Sequence, residues 1–138
     1  MDESKQHTIR IIDSGLRNLL ERMPVGIVVN PVEGPLWLNS AAAAIGGYES
    51  AAELGGAGLA DLLHPEDLAV GVERARRMLE TGEPGQPDIF RIRHRVGDWV
   101  EVEVVPLQVV ELEGRPANLL VISNVTERRA VSEALRTT

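Results

Sequence analysis

The chain has 138 residues, of which 43% are apolar, and carries a formal net charge of -7. This length allows one domain with its own hydrophobic core, and the absence of cysteine excludes disulfides, Cys-ligated zinc, iron–sulfur clusters and thiolate chemistry. No apolar run approaches the roughly 20 residues of a membrane-spanning helix, and the acidic charge disfavours nucleic acid and anionic membranes. We therefore expect a cytoplasmic protein that contacts neither.

The first predicted element is an N-terminal amphipathic helix over residues 1–23. Its apolar residues follow one another at spacings of three and four, and they are Ile9, Ile12, Leu16, Leu19 and Met23. Pro24 then ends the helix. This apolar seam predicts either packing onto the chain's own domain or the pairing of two such helices in a homodimer, and the pattern leaves both open.

Two short strands and a row of short helices follow. The stretches PVGIVVN and LWLN, separated by the turn PVEGP, predict the strands. Asn39 or Ser40 then caps a small alanine-rich helix. Residues 69–81 predict a longer helix, with Gly82 just beyond its end.

The motif His64-Pro65-Glu66-Asp67 could be a reaction centre, a metal site or the start of a helix. Proline fits the first helical position, and the two acids stand where the helix dipole favours negative charge. A metal site would require a second histidine on the same helical face or a third convergent ligand, but His7 and His94 belong to other elements. We therefore interpret the motif as a helix start with structural acids.

Alternation with a period of two predicts a β-hairpin in the second half of the chain. Its apolar side carries Phe90, Ile92 and His94 on one strand and Val100, Val102 and Val104 on the next. Opposite charges on the other side predict the register, with Arg93 across from Glu101. The same register places Arg91 across from Glu103 and requires a loop of odd length.

A second turn at Glu113-Gly114 leads into ANLLVISNV, a strand that is apolar on both faces and therefore belongs in the middle of a sheet. The final stretch TERRAVSEALRTT predicts an amphipathic helix. The boundaries are thus a helix over 1–23, a core domain over 24–125 and the start of an outgoing helix over 126–138. The fold class is α+β with an antiparallel sheet.

Four stretches in this order resemble the PAS sensory domains with their PAC-type C-terminal half. They are LWLNSAAAAIGGYESAAELGG, LADLLHPEDLAVGVERARRMLETGEP, FRIRHRVGDWVEVEVVPL and ISNVTERRAVSEAL. The resemblance implies a PAS-like (profilin-like) sheet of five antiparallel strands, flanked by short helices and by amphipathic helices at both ends. It also implies that the His-Pro-acid-Asp motif begins the long helix beside a binding cleft.

The resemblance implies a cleft between the sheet and the short helices, which either binds a small molecule or is filled by side chains. The expected cleft residues are Trp37, Asn39, Phe90, Ile92, His94, Val102, Val121 and Ser123. On the last strand, the alternative set Leu120 and Ile122 stays open, and ordinary core packing is an alternative for every one of these residues. Missing cysteine excludes a covalent flavin, and residues 68–82 lack the histidine of the family's haem sites. A non-covalent flavin stays open, but the 3% aromatic content offers few stacking partners, of which Trp37 is the best placed. We therefore expect no cofactor, but an unidentified small ligand.

The family's exit motif is Asp-x-Thr, and this chain has Asn124-Val125-Thr126. Asn124 still caps a helix, and Glu127 completes a capping-box-like arrangement. A shift of the last strand would therefore move the outgoing helix and reach a downstream effector domain. We expect a non-catalytic sensory module of a larger signalling protein, such as a bacterial two-component histidine kinase. The alternative is a ligand-free dimerisation module; an enzyme is disfavoured because no nucleophile, base and orienting group converge.

Overall fold

The fold is a curled six-stranded sheet with helices on both faces, in a computed structural model that describes residues 10–136. A 3₁₀ turn at Ala51–Leu54 precedes the third helix. In chain order the elements are β1 (Arg10–Ile12), α1 (Ser14–Arg22), β2 (Gly26–Asn30), β3 (Trp37–Leu38), α2 (Ser40–Ile45), α3 (Leu59–Leu62), α4 (Pro65–Thr81), β4 (Asp88–Arg93), β5 (Trp99–Leu112), β6 (Arg115–Asn124) and α5 (Val125–Arg136).

Five strands pair in antiparallel fashion, which confirms the predicted α+β fold with a five-stranded antiparallel sheet. Strand β6 is central and lies between β5 and β2, β3 pairs with β2, and β4 pairs with β5. The sixth strand, β1, was not predicted. It pairs in parallel with the far end of β5, from Val110 to Leu112.

Within the described residues, the prediction of one helix over residues 1–23 was wrong at residues 10–12. Residues 10–12 form β1, because the β-branched Ile12 is buried against the sheet. Asp13 then begins α1 as its N-cap, and its carboxylate accepts the backbone N–H of Leu16 at 2.8 Å. Ile9 lies outside the described residues.

Helix α1 covers one face of the sheet. Leu16, Leu20 and Met23 pack with Ile12 into a cluster formed by β2, β5 and β6, whereas Leu19 is 61% exposed. The apolar residues of the predicted seam therefore pack against the chain's own domain. Among its described members, only Leu19 is exposed. The opposite face of the sheet carries a second cluster with α2 and the short helices, built from Val28, Leu38, Ala42 and Ile122.

The register of the β4–β5 hairpin differs from the prediction by two residues. Arg91 lies across from Glu101, and Arg93 lies across from Trp99, with its guanidinium 5.2 Å from the centroid of that ring. The connecting loop, residues 94–98, has the predicted odd length, so the apolar residues still share one face. The salt ladder between these strands does not form, since both arginines have other partners.

The β5–β6 hairpin closes at Glu113 and Gly114, as predicted. Both residues have positive φ (52° and 77°), the geometry of a two-residue turn that matches the twist of the strands. Strand β5 has an irregularity between Pro106 and Gln108, where Leu107 is the extra residue of a bulge. The bulge divides the long strand β5 into a half beside β4 and a half beside β1.

Candidate functional site

Helix α4 begins at the His64-Pro65-Glu66-Asp67 motif, which confirms the helix-start interpretation. Pro65 is the first helical residue, and His64 is the N-cap whose Nδ1 accepts the backbone N–H of Glu66 at 3.0 Å. The backbone N–H of His64 donates to the carbonyl of Arg91 at 2.9 Å. The imidazole packs against Trp99, with 4.4 Å between ring centroids. The motif thus joins the start of α4 to the β4–β5 hairpin.

The carboxylate of Asp67 joins α4 to the sheet through three hydrogen bonds from Arg91. Its Oδ1 accepts from Nη2 of Arg91 at 2.7 Å, and its Oδ2 accepts the backbone N–H of the same residue at 2.9 Å. The hydrogen bond from the Arg91 side chain, more than the partial burial that opposes it, lowers the pKa of Asp67 below its usual range. The same contact raises the pKa of the Arg91 guanidinium. Both groups are therefore charged at neutral pH.

Two adjoining cavities lie between the sheet and the helices. The α4 cavity, of about 110 Å³, lies under Gly71, Ala75 and Met78, and the α2 cavity, of about 90 Å³, lies under Ala42 and Ala43. Their shared wall is apolar and consists of Leu59, Leu63, Val104 and Leu120. Together they form the candidate cleft.

Three of the expected cleft residues line these cavities. Phe90 lines the α4 cavity, and Ile92 and Val102 line the α2 cavity. Trp37 and Val121 do not face the cleft: both pack on the opposite face of the sheet, with α1. On β6, the alternative set is the one that faces the cleft, because Leu120 and Ile122 line it.

Asn39 is completely buried, but it is a structural hub and not a cleft residue. Its Oδ1 accepts the backbone N–H groups of Ile27 and Ala42, both at 2.9 Å. Its Nδ2 donates to the carbonyls of Leu20 at 2.8 Å and Val25 at 2.9 Å. The side chain uses its full hydrogen-bonding capacity to join α1, β2 and α2, so none remains for a ligand.

His94 and Ser123 also lie outside the two cavities. The backbone N–H of His94 donates to the carbonyl of Asp98 at 2.7 Å within the hairpin loop, so His94 is a turn residue. Its imidazole lies against Gly47, where an added Cβ would be 2.4 Å from the ring. Ser123 lines a wide open groove beside α5, together with Thr126.

Sequence reasoning did not include Asn118, which lines the α4 cavity and is only 1% exposed. Its Nδ2 donates to the carbonyl of Ala75 in α4 at 2.9 Å, while its Oδ1 is buried and has no hydrogen-bond partner among residues 10–136. Alternation along the strand could have predicted this position, because Asn118 lies on the same face of β6 as Leu120 and Ile122.

The exit helix α5 starts directly from β6. Asn124 Oδ1 accepts the backbone N–H of Glu127 at 2.9 Å, which confirms the predicted cap. Val125 is buried, and two exposed ion pairs also join the helix to β5. They join Arg128 to Glu103 at 3.3 Å and Arg129 to Glu101 at 4.0 Å. These glutamates were expected to pair with arginines of β4.

Within residues 10–136, no three His, Asp or Glu side chains are grouped so that they could hold a metal ion. None of the helices in the described part of the chain is long and apolar enough to cross a bilayer.

Comparison with known proteins agrees with the fold. A family model described as "PAS fold" matches residues 35–122. No curated protein matches the sequence. Among solved structures, the PAS domain of a Desulfitobacterium hafniense protein superposes with a TM-score of 0.64 at 16% identity, covering 78% of this chain and 99% of the other.

Two further structures are similar. The PAS domain of an HTR-like protein from Haloarcula marismortui gives a TM-score of 0.61 at 23% identity, covering 81% of this chain and 90% of that one. A sensory box histidine kinase/response regulator from Burkholderia thailandensis gives 0.55 at 24% identity, covering 88% and 92%. Since the family model matches well over half of the chain and these structures share its sheet and helices, the chain belongs to the PAS fold family.

Proposed function

We propose that this chain is a sensory module of a larger signalling protein, which binds a small ligand in the cleft and passes a conformational change to α5. The observation that carries this proposal is the position of one segment of β5. Val102 and Val104 line the cleft, and the residues that alternate with them, Glu101 and Glu103, contact the arginines of α5. A displacement of this segment by a ligand therefore acts on the exit helix without an intermediate element.

The size and lining of the cleft support a small, mainly apolar ligand. An engineered cavity of about 150 Å³ binds benzene. The two cavities here, of about 110 and 90 Å³, share a wall, so the cleft as a whole suits a ligand of about six non-hydrogen atoms or fewer. A haem or a flavin is far larger than either cavity. Together with the missing cysteine and the absence of histidine from α4, this supports a module without a cofactor.

The similar structures support a proposal for the protein to which this module belongs. PAS domains are in general non-catalytic regulatory modules, and one of the similar structures comes from a sensory box histidine kinase/response regulator. The proposed host is a cytoplasmic bacterial signalling protein, in which α5 leads to an effector domain of the same chain. The charge of -7 supports a module that does not itself bind nucleic acid or anionic membranes.

The test uses the ¹⁵N-labelled 138-residue chain and benzene as the probe. We expect benzene to shift the amide signals of β5 and β6 around the cavities and also those of α5. Val104→Phe places a larger side chain in the shared wall and should abolish the shifts. Val105→Phe is the matched control, because the next residue of the strand points to the other face.

Two results would contradict the proposal. If benzene causes no shifts at the cavity wall, the cleft is not a binding site. If it shifts the cavity residues and leaves α5 unchanged, ligand binding is not passed to the exit helix.

The alternative is a dimerisation module without a ligand, and one observation favours it. Helix α5 is amphipathic, and its apolar residues Val131 and Leu135 are 56% and 71% exposed. Light scattering at several concentrations tests this function. A dimer that Val131→Glu converts to a monomer, in a protein that binds no probe, would support it over the sensory function.

A further inference from the structure

Among residues 10–136, Asn118 is the side chain of the α4 cavity that has a buried polar atom without a hydrogen-bond partner. The residue is 1% exposed, and its Oδ1 has no partner within residues 10–136. A buried acceptor without a donor costs free energy, so native proteins satisfy nearly all such groups with protein, water or ligand. The remaining wall contributes mainly apolar side chains, among them Met78, Phe90 and Leu120.

The orientation of the Asn118 amide is set by its neighbour. Nδ2 donates to the carbonyl oxygen of Ala75 at 2.9 Å. The flipped amide would place two acceptor oxygens against each other and lose this hydrogen bond. Asn118 therefore keeps its nitrogen towards α4 and leaves its oxygen as the free atom, which can accept a hydrogen bond but cannot donate one.

We infer that the α4 cavity selects a small ligand that has an apolar body and a hydrogen-bond donor, such as a short or cyclic alcohol, and that Asn118 Oδ1 accepts from this donor. The inference rests on the proposed function and adds the class of ligand to it. It also gives the ligand a direct contact with β6, the central strand, whose last residue caps α5.

The test compares cyclopentanol with cyclopentanone, which have nearly the same size and differ in the donor. Dissociation constants are measured by NMR titration of the 138-residue chain. A net hydrogen bond of about 1 kcal/mol corresponds to a factor of about five, so the alcohol should bind about fivefold more tightly than the ketone. In Asn118→Ala the ratio should fall to about one, while benzene still binds.

A second measurement does not depend on the variant, which loses its hydrogen bond to Ala75 and could fail to fold. The ¹³Cγ signal of Asn118 in the unchanged protein should move on addition of cyclopentanol and stay in place with cyclopentanone. Asn30, a second amide on the wall whose Oδ1 already accepts from Val32, serves as the internal reference.

The outcomes separate this inference from the function on which it rests. If alcohol and ketone bind equally and ¹³Cγ of Asn118 does not respond, water satisfies Oδ1, and the inference is overturned while the cleft remains a binding site. If the alcohol, the ketone and benzene all fail to bind, the ligand-binding function itself is overturned.

Discussion

One carboxylate, that of Asp67, binds both the side chain and the backbone of Arg91: Oδ1 lies 2.7 Å from Nη2, and Oδ2 lies 2.9 Å from the backbone nitrogen. Asp67 stands in the first turn of α4, and Arg91 is in the middle of β4. The backbone of β4 is further tied to this helix start by the hydrogen bond from His64 to the Arg91 carbonyl. The side of the cleft formed by α4 and β4 is therefore held by these contacts.

The first prediction concerns the strength of this contact. Asp67→Asn removes the charge and one acceptor, and it should lower the free energy of unfolding by about 1.5–3 kcal/mol, the range for hydrogen bonds to charged groups. Glu66→Gln is the matched control: this side chain also contacts Arg91, at 3.3 Å, but it is 76% exposed. It should cost less than about 0.5 kcal/mol. Equal losses in urea denaturation would contradict the proposed role of Asp67.

The second prediction is a loss of stability in acid. The folded state lowers the pKa of Asp67 through Arg91, and that of Asp88 through the backbone N–H of Ile89 and then Arg74. A lowered pKa stabilises the fold above the unfolded pKa of about 3.9, and this stabilisation is lost as the pH falls through the folded value. The free energy of unfolding should therefore fall steadily below about pH 4.

Asp67→Asn provides the comparison for this pH dependence. Urea denaturation at several pH values between 3 and 7 should give a smaller loss in the variant than in the unchanged chain. Parallel curves for the two proteins would mean that Asp67 has the same pKa in the folded and unfolded states.

The third prediction separates stability from binding at Asn39. Asn39→Ala leaves the backbone N–H groups of Ile27 and Ala42 buried without their acceptor, and should lower the free energy of unfolding by about 3 kcal/mol. Benzene affinity of the folded variant should be unchanged, because Asn39 does not line either cavity. Ser40→Ala, at the neighbouring position, is the control: it removes only an exposed hydrogen bond to Glu21 and should cost about 1 kcal/mol or less. Weaker benzene binding by folded Asn39→Ala would show that Asn39 contributes to ligand binding after all.

The fourth prediction concerns the start of the exit helix. Asn124→Ala removes the acceptor for the Glu127 N–H and should destabilise α5 by about 1 kcal/mol. Asn124→Asp keeps the acceptor and adds a negative charge at the helix N-terminus. Relative to the unchanged chain, it should stabilise α5 by about 0.3–1 kcal/mol. Amide exchange in α5 should therefore be fastest in the alanine variant and slowest in the aspartate variant. The reverse order would show that the cap does not control the helix.

Local signals were sufficient to predict most of the fold. The turn at Glu113-Gly114, the start of α4 at Pro65 and the cap at Asn124 each depend on residues close in sequence, and the structure has all three. The hairpin register was wrong because a slip of two residues keeps every side chain on its face. Alternation therefore predicts which face of the sheet a side chain lies on, but not which residue lies across from it. Arg91 binds Asp67 of α4 and not a glutamate of β5.

The cleft was predicted only in part for a related reason. Strand β6 is apolar on both faces, so its pattern could not decide between Val121 and Ile122. Trp37 was placed in the cleft because it is aromatic, but its face depends on how β3 pairs with β2. Asn118 was missed, although a polar residue within an apolar strand is unusual. Its side chain is buried in the structure.

The bulge at Leu107 has a geometric consequence for the chain at both ends of the domain. Strand β5 carries the entering segment β1 at Val110–Leu112 and the ionic anchors of the leaving helix at Glu101 and Glu103, about 30 Å apart at the usual rise per residue. A bulge bends a strand and increases its twist. The extra residue Leu107 lies between these attachment points, so its bend contributes to the angle between the entering strand β1 and the exit helix α5.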